Sequence, residues 1–323
     1  MLCTAVPWKS YGRHASRIGH SLLAVLVMAA TSACGTTPIL GGKPGAGGPN
    51  GQVPADLPTI GGTKAAAVSF GPEGPRVPSL FRAPDGTLGV AYGSDKLGNK
   101  HIYFSSSRDG QTWSPAAPVQ PGELSDQDPA LFADSRGFHV VFASNRDNPS
   151  WALYVSDYSG GQWTAPEKLN LPGSMTVEPA ICTTPHGWAL TYRSLDGLVV
   201  AESGDGHSWY QAKVAATHLG DPAIAYVGGK LTIVAHRSGQ LFEVEREPSG
   251  SWTSARPLGF GNPALQPALS VDSAGILNLA FSFRTGGPGT PTQLSTASKV
   301  GGKWSVPEPL TSGTGDNINP TLQ

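Results

Sequence analysis

Cysteine is scarce in this chain, with three among 323 residues. Cys3 and Cys34 lie near the N-terminus, and Cys182 stands alone between apolar neighbours. A disulfide framework needs paired cysteines, so packing has to hold the fold together. Nothing beside Cys182 in the sequence would lower the pKa of its thiol, and we expect a buried, unreactive residue.

Charged residues are also few, at 14% of the chain, and they form no basic runs. Lysine and arginine nearly balance aspartate and glutamate, which gives a formal net charge of −1. Nucleic acids and anionic lipid surfaces attract clustered positive charge, so both are poor candidates as partners. We expect a chain that acts as a monomer and binds no nucleic acid.

The motifs of several common chemistries are missing. The sequence contains no HExxH, no cysteine–histidine cluster, no glycine-rich phosphate loop and no G-x-S-x-G turn. Its eight histidines are scattered, and we expect His101, His139 and His236 to be packing or surface residues. The sequence therefore predicts no metal and no cofactor.

The first 33 residues have the layout of a secretory signal. Three basic residues form its positive region: Lys9, Arg13 and Arg17. The apolar run at 21–30 is about half as long as a membrane-spanning helix needs to be. TSAC (31–34) resembles the lipobox of bacterial lipoproteins, which implies cleavage before Cys34 and acylation of its thiol. The alternative is an ordinary secreted protein.

Residues 34–63 are rich in glycine and proline and almost free of large apolar side chains. Such a stretch buries too little surface to offset its ordering entropy, so we expect a flexible tether. The folded domain then occupies residues 64–323. The expected location is the bacterial cell envelope, with a lipid anchor at the outer membrane or cell surface.

Residues 64–323 are repetitive. Each of five units leads through a turn into an alternating apolar strand, continues into a further strand, and ends on a tryptophan. Six strings place a proline before a small and an aliphatic residue: VPSL (77–80), DPAL (128–131), EPAI (178–181), DPAI (221–224), QPAL (266–269) and NPTL (319–322). Repeated short antiparallel strands without helical periodicity are typical of propeller blades.

The blade count follows from the complete units. Five units predict an all-β propeller of five four-stranded antiparallel blades, with six blades as the alternative. KAAAVSF (64–70) predicts an extra strand, and NPTLQ (319–323) begins another unit. These ends either overlap to close the ring or belong to an incomplete sixth blade.

Two of the repeats contain a distinctive turn, SRDGQTW (107–113) and SGDGHSW (203–209). These turns resemble the Asp-box of the BNR repeats in sialidases and related propellers. The resemblance implies structural roles, in which the carboxylate accepts backbone N–H groups, glycine permits the turn and tryptophan packs between sheets. The residues concerned are Asp109, Trp113, Asp205 and Trp209.

The first and third repeats resemble further sialidase elements. PRVPSLFRAPDGTLGVAYGSD (75–95) resembles the sialidase opening, which implies that Arg76 is the first of three arginines gripping a substrate carboxylate. VEPAICTTPHGWALTYRS (177–194) implies that Arg193 is the second arginine and that Glu178 polarises a tyrosine nucleophile.

The remaining sialidase roles have weaker matches. Asp95 is the nearest match to the general acid, and Arg237 or Arg284 would be the third arginine. The sequence departs from the family because no tyrosine follows Tyr226.

Repetition itself gives another interpretation of these residues. An acid precedes Pro-Ala in three repeats, and an arginine follows the second strand in four: Asp128, Glu178 and Asp221, with Arg146, Arg193, Arg237 and Arg284. Acids and arginines at such positions would pair with each other around the channel, because buried charges need partners.

The sequence leaves three kinds of function open. We favour a glycan- or protein-binding module anchored on the envelope. The enzymatic alternative is a glycoside hydrolase. It would be an exo-α-sialidase, or an enzyme resembling the arabinanases that uses Asp128, Glu178 and Asp221. The third is a scaffold in an envelope complex.

Overall fold

The computed structural model describes residues 22–26, 59–60, 63–64, 76–95, 99–146, 150–261, 263–284, 286, 290–311 and 317–322. These residues form β-strands and turns, with no helix among them. Accordingly, the described segments offer no helix of the length and hydropathy needed to cross a membrane. Most of the signal and tether, and residues 65–70 of the expected extra strand, lie outside the described residues.

Five antiparallel sheets succeed one another along the described chain, and each runs outward from its first strand. Blade one consists of Arg76–Arg82, Leu88–Ser94, His101–Ser107 and Ala117–Pro118. Blade two consists of Asp126–Asp134, Gly137–Ser144, Ala152–Ser159, Gln162–Trp163 and Glu167–Lys168. Blade three consists of Val177–Thr184, Gly187–Ser194, Gly197–Ser203 and Tyr210–Ala216. The strands of blades four and five are Gly220–Val227, Lys230–Arg237, Gln240–Glu245 and Arg256–Pro257; and Ala264–Val271, Leu277–Phe283, Gln293–Val300, Lys303–Trp304 and Glu308–Pro309. The prediction of a five-bladed all-β propeller is confirmed.

A further inner strand closes the ring. Asn317–Leu322 lies between the inner strands of blades five and one, and the backbone N–H of Leu80 donates to Thr321 Oγ1 over 3.1 Å. The same strand also pairs in parallel with Leu22–Leu26. A short hairpin of Thr59–Ile60 and Thr63–Lys64 completes the described strands. The sixth unit begun by NPTLQ is therefore present as an inner strand, beside five complete blades.

The outer strands differ in length for a reason visible in the sequence. Blade three has an outer strand of seven residues, Tyr210–Ala216, whereas the other four blades have outer pieces of two residues. Those four carry proline after the closing tryptophan, and blade three does not. Proline lacks the N–H that a sheet ladder needs, so it shortens an edge strand and discourages pairing with another chain.

The apolar core lies between the blades. Trp188 of blade three packs edge-on against Phe132 of blade two, with ring centroids 4.9 Å apart. Trp163 and Trp209 each lie in the cluster that joins their own blade to the preceding one. Cys182 is half-buried in a further cluster, which joins blades three and four. Burial raises the pKa of its thiol, which fits an unreactive role.

Candidate functional site at the channel mouth

The residue before each repeated proline has an unusual backbone. All six have φ between 44° and 55°, although none is glycine: Val77, Asp128, Glu178, Asp221, Gln266 and Asn319. Positive φ is uncommon for such residues, and the following proline normally drives its predecessor toward extended backbone. The same strained geometry therefore occurs at one level of every inner strand, and we call these six residues the mouth ring.

A β-bulge accompanies the strain in each complete blade. The register of the inner strand shifts between Gln127 and Ala130 in blade two and between Val177 and Ala180 in blade three, with equivalent shifts in the others. A bulge redirects the side chain that it contains. Here it turns the mouth-ring residues toward the central channel, where all six line one cavity of about 430 Å³.

The mouth ring is chemically uneven. Blades two, three and four contribute the carboxylates Asp128, Glu178 and Asp221. Blade five and the sixth inner strand contribute the amides Gln266 and Asn319. The backbone N–H of Asn319 donates to Gln266 Oε1 over 3.3 Å. One half of the ring is thus acidic and the other is uncharged.

Glu178 is the most firmly held of the carboxylates. Arg193 donates to both of its oxygens, from Nη2 to Oε1 over 2.6 Å and from Nε to Oε2 over 2.7 Å. The backbone N–H of Asp221 also donates to Oε2, over 2.9 Å. The hydrogen bonds to Glu178 raise the pKa of the Arg193 guanidinium. Glu178 and Arg193 thus form one bidentate acid–arginine pair of the kind that the repetition suggested.

Among the described residues, neither Asp128 nor Asp221 has a bidentate arginine partner like that of Glu178. Burial raises the pKa of Asp128 to about 7, and the negative charges of Glu178 and Asp221 act in the same direction. Burial also raises the pKa of Asp221, again with help from Glu178, although His236 and Arg193 oppose it. His236 Nδ1 lies 3.3 Å from Asp221 Oδ2. The site therefore combines a carboxylate paired with an arginine and two carboxyls whose pKa values are raised.

The two candidates for the third arginine of the sialidase resemblance make contacts within their own blades. Arg237 lies over the Phe242 ring, 4.5 Å from its centroid, and Arg284 Nη2 donates to Thr292 Oγ1 over 3.1 Å. Asp95 is an exposed residue just after the second strand of blade one. Arg76 begins the inner strand opposite Gly93, and its side chain lies outside the described residues. The structure thus brings Glu178 and Arg193 together and leaves the triad as a prediction.

The two distinctive turns are held by their aspartates. Asp109 Oδ1 accepts the backbone N–H groups of Gln111 and Thr112 over 2.8 and 2.7 Å. Asp205 Oδ1 accepts those of His207 and Ser208 over 2.9 and 2.7 Å. These backbone hydrogen bonds lower the pKa of both carboxyls. Trp209 packs between blades two and three, and Trp113 is half-buried.

Sequence reasoning missed Gln266 and Asn319 as part of the site. The sequence did contain a signal for both residues, because each precedes the repeated proline, as the three acids do in their own repeats. Lys100, whose charge lowers the pKa of Asp128, carried no such signal. Lys100 precedes the third strand of blade one, and its Nζ donates to Gln127 Oε1 on the inner strand of blade two over 3.0 Å, a contact that arises only in the folded ring.

Comparison with solved structures places the fold among known propellers. A protein of unknown function from Dyadobacter fermentans matches with a TM-score of 0.63 and 13% identity, over 77% of this chain and 87% of that one. A Hadza microbial sialidase matches with a TM-score of 0.57 and 18% identity, over 74% of this chain and 59% of the sialidase.

A Penicillium chrysogenum α-L-arabinanase, solved with arabinobiose, matches with a TM-score of 0.56 and 19% identity, over 73% of this chain and 82% of that one. No protein-family model and no curated protein matches the sequence. The chain is an all-β, five-bladed propeller with sialidase-like structural neighbours, and these identities establish the fold alone.

Proposed function

We propose that this protein is an envelope-anchored propeller that binds a neutral glycan at the mouth of its central channel. The observation that carries the proposal is the convergence of Asp128, Glu178 and Asp221 on one cavity opposite the amides Gln266 and Asn319. Carboxylates and amides are the side chains that hydrogen-bond sugar hydroxyls in both directions. A concave site with a few convergent polar groups is the usual form of a small-ligand pocket.

The charge of the site favours a neutral ligand over a sialic acid. Three acidic side chains line the mouth. Arg193, which lies beside them, already donates from Nε and Nη2 to Glu178. A ligand carboxylate would have to displace Glu178 and then face Asp128 and Asp221. Like charges brought together in this way disfavour binding.

The test is binding of the full chain to an array of neutral and sialylated oligosaccharides, followed by calorimetry on the hits. We expect neutral glycans to bind and the Asp128→Asn/Asp221→Asn double variant to lose at least about tenfold in affinity. Glu308→Gln, a change in an exposed outer strand, is the matched control and should bind as the original protein does. Preferential binding of sialylated glycans, unaffected by the double change, would overturn the proposal.

Glycoside hydrolysis is the second candidate, favoured by the raised pKa of Asp128. A carboxyl whose pKa is raised to about 7, in the same cavity as a second carboxyl, Glu178, suits the general acid of glycoside cleavage. Hydrolysis would fall above pH 7 as Asp128 loses its proton, and Asp128→Asn would abolish it. Release of sugar from arabinan and from a fluorogenic α-sialoside, measured against pH, tests both substrate classes.

An exo-α-sialidase receives less support from the geometry. Both oxygens of Glu178 are occupied by Arg193 and the Asp221 backbone N–H. No tyrosine follows Tyr226 to serve as the nucleophile. Turnover of the α-sialoside that disappears in Arg193→Ala would restore the sialidase assignment.

The anchor and the repeat class belong to the same proposal. Acylation at Cys34 would hold the propeller on the envelope, and the turns at Asp109 and Asp205 would be Asp-boxes of BNR repeats. Cleavage before Cys34 would remove Leu22–Leu26, the parallel partner of Asn317–Leu322. Each complete blade hydrogen-bonds within itself, so the propeller should survive that loss. Metabolic labelling with a fatty acid, lost in Cys34→Ser, tests the anchor.

A further inference from the structure

A group of metal-binding side chains lies far from the mouth ring, at the opposite ends of blades two and three. His139 is on the second strand of blade two, and Asp157 is its direct cross-strand partner on the third strand. His207 comes from the turn between the third and fourth strands of blade three. Their ligand atoms, two imidazole nitrogens and a carboxylate oxygen, lie within 4.8 Å of one another.

Asp157 is the centre of this group. Its Oδ1 lies 2.7 Å from His139 Nδ1, and its Oδ2 lies 3.1 Å from His207 Nε2. His139 is 2% exposed, whereas Asp157 and His207 are half-buried. His139 is therefore enclosed by protein, whereas Asp157 and His207 are accessible to solvent.

The other nitrogen of each imidazole is held by a second carboxylate. His139 Nε2 lies 3.1 Å from Asp134 Oδ1, and His207 Nδ1 lies 3.3 Å from Glu167 Oε2. Histidines that bind metals almost always donate their remaining N–H to a carboxylate or carbonyl, which fixes the ring and its tautomer. Both histidines here have that support, and this second feature distinguishes the group from an incidental cluster.

We propose that His139, Asp157 and His207 bind Zn²⁺, or a divalent ion of similar preference, between blades two and three. Imidazole and carboxylate ligands suit zinc, and a three-ligand site leaves its fourth position to water. Tetrahedral bonds of about 2.0–2.1 Å place ligand atoms about 3.3 Å apart, so Asp157 would move a few tenths of an ångström from His139.

The local charge favours a dication. Three carboxylates surround the two imidazoles: Asp134, Asp157 and Glu167. One positive charge lies beside them, because Arg136 donates to Asp134 Oδ2 over 2.6 Å. With neutral histidines the group therefore has a surplus of negative charge that a divalent ion offsets. The competing state has both imidazoles protonated and ion-paired, without metal.

The metal would link neighbouring blades. Two ligands come from blade two and one from blade three, and Arg136 Nη2 already donates to the backbone oxygen of Asp205 across the same junction over 2.8 Å. This site does not rest on the proposed glycan function, because its residues lie away from the mouth ring. Its occupancy would make the propeller's thermal stability depend on zinc.

The test uses the full chain, purified without a polyhistidine tag, stripped with EDTA and titrated with Zn²⁺ against a chromophoric indicator at about pH 7.5. We expect about one ion per chain and a higher Tm in its presence. Co²⁺ should give the visible absorption bands of a four-coordinate site.

Matched variants assign the site. His207→Ala should lower the zinc affinity by more than about tenfold, and Asp134→Asn by about tenfold to a hundredfold through loss of ring support. His186→Ala, an exposed histidine in a blade-three turn, should leave binding unchanged. Absence of zinc binding, or equal binding by His207→Ala, would overturn the proposal. Because His207 is half-exposed, its variant tests the site even where His139→Ala fails to fold.

Discussion

The pKa of aspartate carboxyls is shifted in opposite directions at the two ends of the propeller. In the turns at Asp109 and Asp205, each carboxylate accepts two backbone N–H groups, and its pKa is lowered. At the mouth ring, Asp128 and Asp221 are partly buried and share one cavity with Glu178, and their pKa values are raised. The first arrangement stabilises the fold when the carboxyl is ionised. The second costs stability when it is ionised.

This contrast supports the proposal that the mouth carboxyls serve a ligand. Strongly shifted carboxyl pKa values occur more often at functional sites than elsewhere in proteins. The backbone strain of the mouth ring supports the same conclusion, because unfavourable φ values persist where a side chain has to be aimed at a particular place. The turns at the other end have glycine at their positive-φ positions, Gly110 and Gly206, and carry no comparable strain.

The largest expected effect is at a turn aspartate. Asp205→Ala removes the acceptor for His207 and Ser208 and should lower the free energy of unfolding by about 1–2 kcal/mol at neutral pH. Since the folded-state pKa lies below the unfolded value, this contribution is present above about pH 4 and is lost as the pH falls. Urea denaturation at pH 7 and at about pH 2, well below the unfolded-state pKa, measures it, with exposed Asp196→Ala as control. Equal losses at both pH values would contradict this account.

A mouth carboxyl should show the reverse behaviour. Asp128→Asn removes a charge that is unfavourable when formed, so the variant should be more stable than the original protein at pH 8, on the order of 1 kcal/mol because the side chain is partly exposed. A raised folded-state pKa means that stability falls as the pH rises from about 4 to about 7, so the gain should vanish near pH 4. Thermal denaturation across this range gives the comparison. A variant less stable at pH 8 would show that Asp128 is a structural acid.

The smallest effect should come from crowding Glu178. A Cβ added at Gly220 would lie 3.3 Å from Glu178 Oε2, which is tight but does not meet backbone. Gly220→Ala should change stability by less than about 1 kcal/mol while shifting the carboxylate that Arg193 holds. We expect weaker glycan binding with nearly unchanged Tm. Unchanged affinity would indicate that the ligand does not depend on the position of Glu178.

Much of the architecture was predictable from local patterns. The proline strings and closing tryptophans predicted the five blades. The acid before Pro-Ala in Asp128, Glu178 and Asp221 pointed to the channel. The pairing of Glu178 with Arg193 was one of two interpretations left open, because sequence spacing places the residues near each other without showing where the guanidinium points.

Other features depend on contacts between distant residues. The Asp221 backbone N–H reaches Glu178 across 43 residues, and His207 reaches Asp157 across 50. No periodicity within a single blade encodes those contacts. The raised pKa of Asp128 likewise depends on acids in two other blades, so its electrostatics appear only once the ring is closed.

The most direct test of the contrast between the two ends is a carbon-detected NMR titration of the aspartate carboxyls, with Asp128→Asn and Asp205→Ala used to assign the two signals. We predict that Asp128 titrates near pH 7 and that Asp205 remains ionised well below the usual range of aspartate. If both carboxyls titrate near pH 4, the mouth ring has no special electrostatics, and the case for a ligand site there fails.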